Sequence, residues 1–287
     1  MKDSLSKRYP IESLGIVQAT RGEIRAERLE DRITPRVPFP HKHDFYQIVV
    51  ITKGLGWHQI DFQRYKLKPG QIFVIKPGQV HDWEMSSTTQ GYILEFTSES
   101  LAQSLVSNTS IHTRLSNLSD MIPCPDKAKS RFMDQCEVMC GEFDKNEWAR
   151  ESSLRSWLNL ILITLYRLDS NENRGAKEND DVIEKFEGLV EENFRQEHRV
   201  EFYAEKLKLS PRALTMRLSR TLDRSARDLI QDRCLLEARR LLAYSSQPIS
   251  QISDFLGFQD PNYFSRIFKS KTGLTPAKFR ERVAGKI

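Results

Sequence analysis

The sequence predicts an α+β fold: an N-terminal β-barrel with following helices, then an all-α domain with two helix-turn-helix units joined by a long helix. Three observations carry this expectation. Residues 43–96 read as short strands punctuated by Gly and Lys-Pro-Gly turns, and residues 130–168 change to a helical period. In the last third, one helix-turn-helix pattern occurs twice, about 50 residues apart. A chain of 287 residues with 39% hydrophobic content can fill two cores of this kind.

The elements follow in order. Residues 1–38 read as an N-terminal arm, and residues 39–100 as the barrel, with the β-rich runs "FYQIVVITKG", "GWHQIDFQRYKL", "PGQIFVIKPGQVH" and "GYILEF". Residues 101–168 form a helical region ending in "ESSLRSWLNLILITLYRL". Within it Leu154, Leu158, Ile161, Leu165 and Leu168 follow the 4-3-4-3 spacing of a coiled-coil seam. That seam fits a homodimer interface and intrachain core equally well, and the wider apolar surface of Trp157, Leu160 and Leu162 leaves room for both. The polar stretch 169–180 is a linker, and residues 181–282 form the second domain.

Several function classes are set aside on composition. No apolar run approaches the length of a membrane span, so no membrane partner is expected. The first residues, "MKDSLSKRYPIESLG", lack a signal-peptide apolar core, which points to a cytoplasmic protein. Cys124, Cys136, Cys140 and Cys234 show neither disulfide nor zinc spacing. No nucleophile elbow, phosphate-cradling Gly loop or paired carboxylates appear, so no enzymatic activity is expected.

Charge divides the chain unevenly. Residues 200–287 carry 17 Lys and Arg against 9 Asp and Glu, a net +8, whereas the rest is mildly acidic. A basic C-terminal third suits double-stranded DNA. In "GFQDPNYFSRIFKSKTG", Asp260 fits a helix N-cap, Pro261 the first helical position and Gly273 the stop. Phe264, Ile267 and Phe268 then share one side of the helix. Asn262 and Arg266 project from the other, flanked by Tyr263 and Ser265. Arg pairs with guanine and Asn with adenine in the major groove, so this face suits base reading.

The unit is duplicated. "VEFYAEKLKLSPRALTMRLSRTLDRSARDLI" aligns with "ISQISDFLGFQDPNYFSRIFKSKTGLTPAKF" at an offset of 50, with Ser210-Pro211 over Asp260-Pro261. Upstream the offset is 49, so the second turn is one residue longer. Ile252, Phe255 and Leu256 are expected on the buried face of the helix before that turn. In the first unit, about residues 200–222, the outward positions are Arg212, Ala213, Thr215 and Met216; in the second, about 249–272, they are those above. Arg220 and Lys269 are candidate phosphate contacts. "SARDLIQDRCLLEARRLLAYS" between the units predicts one long helix, N-capped by Ser225, holding the recognition helices about 34 Å apart over roughly 20 base pairs.

"LLEARRLLAYSSQPISQISDFLGFQDPNYFSRIFKSKTGLTPAKFRER" resembles the DNA-binding domain of the AraC/XylS family of bacterial transcription regulators. Gly257-Phe258, the run from Tyr263 to Lys269, the Gly-x-Thr-Pro from Gly273 and Phe279-Arg280 all match the family pattern. Ser253 departs from it, standing where Ala is usual, and Met216 stands where a polar base reader is common. The resemblance implies a seven-helix domain that activates promoters through contact with RNA polymerase.

The stretch "PHKHDFYQIVVITKGLGWHQID" through "LKPGQIFVIKPGQVHDW" is similar to the cupin barrel that senses effectors in this family. His41, His43 and His81 fall where metal-binding cupins have ligands, but Gln47 stands where those enzymes place a carboxylate, so no metal or other cofactor is expected. The effector is expected to be a small aromatic acid or a sugar, held among His43, Tyr46, Trp57, His58, His81 and Trp83, with Arg36, Lys42 or Lys76 for a carboxylate. The leading reading is an effector-responsive activator acting as a homodimer. The alternative is a metal-dependent cupin enzyme or sensor with a DNA-binding tail.

Overall fold

In the computed structural model, residues 24–32, 40–102, 115, 118–145, 147–173 and 181–284 are described. They fall into two compact units, one within Gly15–Glu178 and the other within Asn179–Ile287.

The first unit opens with strand β1 (Ile24–Arg28) and a 3-10 turn (Leu29–Arg32). There follow β2 (Tyr46–Lys53), β3 (Gly56–Ile60), β4 (Gln63–Lys66), β5 (Gln71–Ile75), β6 (His81–Met85) and β7 (Gln90–Phe96). A short helix α1 (Ser98–Ala102), strand β8 (Met121–Pro123) and two long helices, α2 (Asp126–Asp144) and α3 (Arg150–Asn173), complete it. The strands form two antiparallel sheets, one in the order β1-β7-β2-β5-β8 and the other β4-β3-β6.

The period of two in β2 assigns its residues to separate cores. Val49 and Ile51 meet Phe73, Ile75 and Ile93 of the same sheet and Ile60 and Trp83 of the other, forming an inner core. Tyr46, Ile48 and Val50 point the opposite way, onto α2 and α3, where Phe132, Cys136, Met139, Leu158, Ile161 and Leu165 cover them. Three elements depart from the sequence expectation, each through a contact with a residue far along the chain. β1 lies inside the expected arm of residues 1–38, pairing in register with β7 from Ile24↔Phe96 to Arg28↔Tyr92. β8 lies inside the expected helical region and pairs with β5. α3 continues to Asn173 across the start of the expected linker, and Asp169 is still buried there, its carboxylate accepting from Ser119 N at 3.4 Å.

The coiled-coil spacing on α3 is used inside the chain. Leu154, Leu158, Ile161, Leu165 and Leu168 are all buried against α2 and the sheet, so they are not a subunit seam. Leu160 and Ile163 remain exposed at 46% and 37%.

The second unit has seven helices among its described residues. They are α4 (Asp181–Asn193), α5 (Val200–Lys206), α6 (Pro211–Leu222), α7 (Ala226–Tyr244), α8 (Ile249–Phe255), α9 (Pro261–Thr272) and α10 (Pro276–Ala284). Their ends are written in the sequence: Ser210 accepts from Ala213 N, Ser225 from Asp228 N and Asp260 from Asn262 N, each stabilising its helix by about 1 kcal/mol. Phe255, expected on the buried face of α8, is instead 46% exposed. Ile252, Ser253 and Leu256 fill the inner arc, and Phe255 lies outside it, with the Arg195 guanidinium 4.9 Å over its ring.

The two tight turns differ where the alignment changes offset. Gly257 follows α8 at φ +76°, and a Cβ there would meet the Arg195 carbonyl oxygen at 2.3 Å, so only glycine fits. In the first unit the corresponding residue, Lys208, holds φ 56° with a full side chain.

Candidate functional site

Both helix-turn-helix units turn the same kind of face outward. In α9, Phe264 and Phe268 are fully buried and Ile267 is half-buried, which leaves Asn262, Tyr263, Arg266 and Lys269 exposed and Ser265 half-buried. The Arg266 guanidinium lies 5.8 Å from the centre of the Tyr263 ring. In α6, Leu214 and Leu218 are buried; Arg212, Ala213, Met216 and Arg220 are exposed and Thr215 is half-buried. Met216 is 63% exposed. An apolar thioether left so open on a helix whose inner face is filled is suited to contact with a thymine methyl group.

α7 ties the units together. Its Asp228 accepts from Lys271 Nζ of α9 at 2.7 Å, while the buried Glu237 carboxylate meets Arg240 at 3.1 Å and Arg233 at 3.6 Å. Sequence reasoning passed over Arg227, which reaches from the first turn of α7 to the Tyr263 hydroxyl at 3.4 Å. Its neighbour relation joins two helices 36 residues apart, which no local pattern shows.

A second polar assembly lies at one end of the two-sheet core. The Gln47 amide donates to Glu95 Oε1 at 2.8 Å, and Arg32 Nη1 reaches the same oxygen at 2.9 Å and Glu27 at 3.3 Å. Arg25 bonds Glu27 at 3.0 Å. Beside this ladder four buried histidines converge. The ring of His81 lies 4.4 Å from that of His41, 5.0 Å from His43 and 5.6 Å from His58, and Trp83 closes against His58 and His81 at 5.5 Å each. His43 Nδ1–H donates to the Phe45 carbonyl at 2.6 Å, and His58 Nε2 and His81 Nδ1 share a hydrogen bond of 3.3 Å. The buried His43 Nε2, Gln47 Oε1, His58 Nδ1 and His81 Nε2 have no hydrogen-bond partner.

Burial sets the charge state of these rings. Desolvation lowers His43 and His58 to about 3 each, helped by repulsion from the neighbouring histidines and, at His43, from Arg32. It also holds His81 well below the usual imidazole range. His43, His58 and His81 are therefore neutral at neutral pH, and each offers a ring nitrogen without a partner.

Of the six expected pocket residues, His43, His58, His81 and Trp83 thus come together. Tyr46 does not: it faces the helices and stacks on Phe96 at 5.3 Å. Trp57 does not either, because its Nε1 donates to Glu84 at 3.0 Å and Arg64 covers its ring at 4.0 Å on the outer surface. Lys76 is paired with Asp120 at 2.9 Å, and Arg36 lies outside the described residues. Gln47, read from sequence as a lost metal ligand, is engaged with Glu95. Among the described residues no three His, Cys, Asp or Glu side chains are placed to hold a metal ion. No helix among them is long and apolar enough to cross a membrane.

Comparison with known proteins follows the same division. Residues 26–159 match the AraC-like ligand binding domain and residues 203–282 match a helix-turn-helix domain. The chain is 21% identical over 264 residues to the HTH-type transcriptional activator RhaR of Enterobacter sp. (strain 638), covering 90% of this chain and 92% of that one. It is 25% identical over 264 residues to the HTH-type transcriptional activator RhaS of Salmonella schwarzengrund (strain CVM19633), covering 87% and 91%. Among solved structures, ToxT from Vibrio cholerae superposes loosely, with a TM-score of 0.43 at 16% identity over 90% of this chain and 97% of that one. The chain belongs to the AraC family of transcription regulators, with a ligand-binding domain and a helix-turn-helix DNA-binding domain in one polypeptide.

Proposed function

We propose that the protein is an effector-responsive activator that reads two successive major-groove segments. The observation that carries this is the paired outward face, Arg212 and Met216 on α6 and Asn262 and Arg266 on α9, held by capped helices around the single connector α7. Arg266 and Asn262 read guanine and adenine edges, Met216 and Ala213 lie against thymine methyls, and Tyr263, Ser265 and Thr215 flank them. Arg220 and Lys269, both exposed, hold phosphates. The protein acts in the cytoplasm on promoters, together with RNA polymerase.

The effector sits at the polar end of the two-sheet core. Four unmatched buried atoms on His43, Gln47, His58 and His81 supply its hydrogen bonds, and Trp83 supplies an apolar face. Arg25 and Arg32 are already matched by Glu27 and Glu95, so a hydroxyl-bearing ligand such as a sugar suits the site better than an aromatic acid. A homodimer forms through the exposed side of α3 around Leu160 and Ile163. Effector binding acts by favouring one of two states for which its affinities differ.

The test is selection of bound DNA from a random pool with wild type and Arg266→Ala. The expected result is a two-segment site of about two helical turns, with base preference relaxed at one or two positions in the variant at a cost of about 1–3 kcal/mol. Uniform weakening across all sequences would show that Arg266 reads no base.

A further inference from the structure

The helical unit contains a cavity of about 310 Å³ that is not lined by Asn262 or Arg266 but is lined by Tyr263 and Ile267 of the helix that carries them. Val200, Cys234, Phe258 and Ile267 give it its apolar lining, His198, Arg199, Glu201 and Gln231 give it polar walls, and Arg227 and Tyr263 stand together among them. The charges around it are unequally matched. Arg199, which also lines the cavity, is held by both oxygens of Glu197 at 3.1 Å, and Glu201 lines it too. On α7 and just before it, Arg224 is paired with Asp232, Arg233 with Glu191 and Arg240 with Glu237. Among the described residues Arg227 has no carboxylate, only the long bond to the Tyr263 hydroxyl.

A cation without a paired carboxylate, beside a space of this size that is about half apolar, suits a single carboxylate on a compact aryl or short alkyl body, with the carboxylate turned toward Arg227 and away from Glu201. We infer that this cavity binds a small organic monocarboxylate, with the carboxylate on Arg227 and the Tyr263 hydroxyl and the apolar body against Phe258 and Ile267. The consequence follows from position. Tyr263 lies on α9 under Arg266, whose guanidinium is 5.8 Å from its ring. A bound anion there adds negative charge beside the face proposed to approach DNA phosphates, so it lowers DNA affinity. This last step rests on the DNA-reading face proposed above; binding in the cavity does not.

The experiment uses the full chain with benzoate as the probe, benzyl alcohol as the neutral control and Arg227→Gln as the variant, all at constant ionic strength. Benzoate binding is read by ligand-observed NMR and DNA affinity by fluorescence anisotropy on the selected site. The expected result is that benzoate binds wild type, that saturating benzoate weakens DNA binding threefold or more, and that saturating DNA weakens benzoate binding by the same factor. Benzyl alcohol has no such effect, and Arg227→Gln, which alters only an exposed side chain, abolishes the response. A chain that binds its DNA site but not benzoate overturns the inference. So does one in which Arg227→Gln only lowers the salt dependence of DNA binding, since Arg227 would then be a phosphate contact. A chain that binds benzoate through Arg227 but selects no DNA site supports the cavity and refutes the DNA reading instead.

Discussion

Lowering the pH from 7 to 5 should destabilise the sheet unit steeply, because His43, His58 and His81 are neutral when folded. The unfolded rings titrate near 6.5, whereas burial holds the folded His43 and His58 at about 3. Their contribution is therefore complete above pH 6.5, where neither state is protonated, and is lost as the pH falls, because the unfolded chain binds protons that the folded chain refuses. Over pH 7 to 5 each such ring removes about 2 kcal/mol, so His43 and His58 together remove about 4 kcal/mol. His81, lowered for the same reason and facing His41, His43, His58 and Arg32, adds to the loss. A domain stable by about 5–15 kcal/mol would lose a large share of that margin. The assay is urea unfolding at half-unit pH steps, followed by tryptophan fluorescence, since Trp83 packs against His58 and His81. His43→Gln should remove one proton from the linkage and flatten the slope by about 1.4 kcal/mol per pH unit. Stability that stays level between pH 7 and 5, or a slope unchanged in His43→Gln, would refute the claim that these rings are held neutral by burial.

Three further outcomes concern the helical unit. Gly257→Ala places a Cβ 2.3 Å from a backbone oxygen at φ +76°, and should cost about 1–3 kcal/mol in thermal or denaturant unfolding; Lys208→Gly, at φ 56° in the equivalent turn, should gain up to about 1 kcal/mol. Ser253 is fully buried with its hydroxyl unpartnered, so Ser253→Ala should be neutral or stabilising by about 1 kcal/mol, and a clear loss of stability would mean that the hydroxyl is bonded after all.

How much of this was legible in the sequence depended on distance along the chain. The caps at Ser210, Ser225 and Asp260, the glycine stops and the buried stripe of Phe264 and Phe268 are all local signals, and the helix faces followed from them. β1 reads as part of an arm because its partners in β7 lie 64 to 72 residues away and "IRAER" has no strong strand signature of its own. The ladder of Arg25, Glu27, Arg32, Gln47 and Glu95 was invisible for the same reason. Residue type misled at Tyr46 and Trp57: aromatics suit a pocket and a core equally, and only the pleat decides which face receives them. The leucine spacing on α3 was ambiguous because a sheet and a second helix can cover the same stripe.

The alternation along β2 means that two environments share one backbone. Gln47 and Val49 belong to the interior where the polar cluster lies, while Tyr46, Ile48 and Val50, a peptide bond away, support α2 and α3. The strand is a party wall, and neither room can be refurbished alone. A substitution that displaces Gln47 also re-seats Tyr46 and Ile48, so changes made on the two faces will not add independently in double-mutant measurements. Mutational drift on the histidine side is thereby constrained by the helices behind it, and the helix packing is constrained in turn by the packing of the cluster.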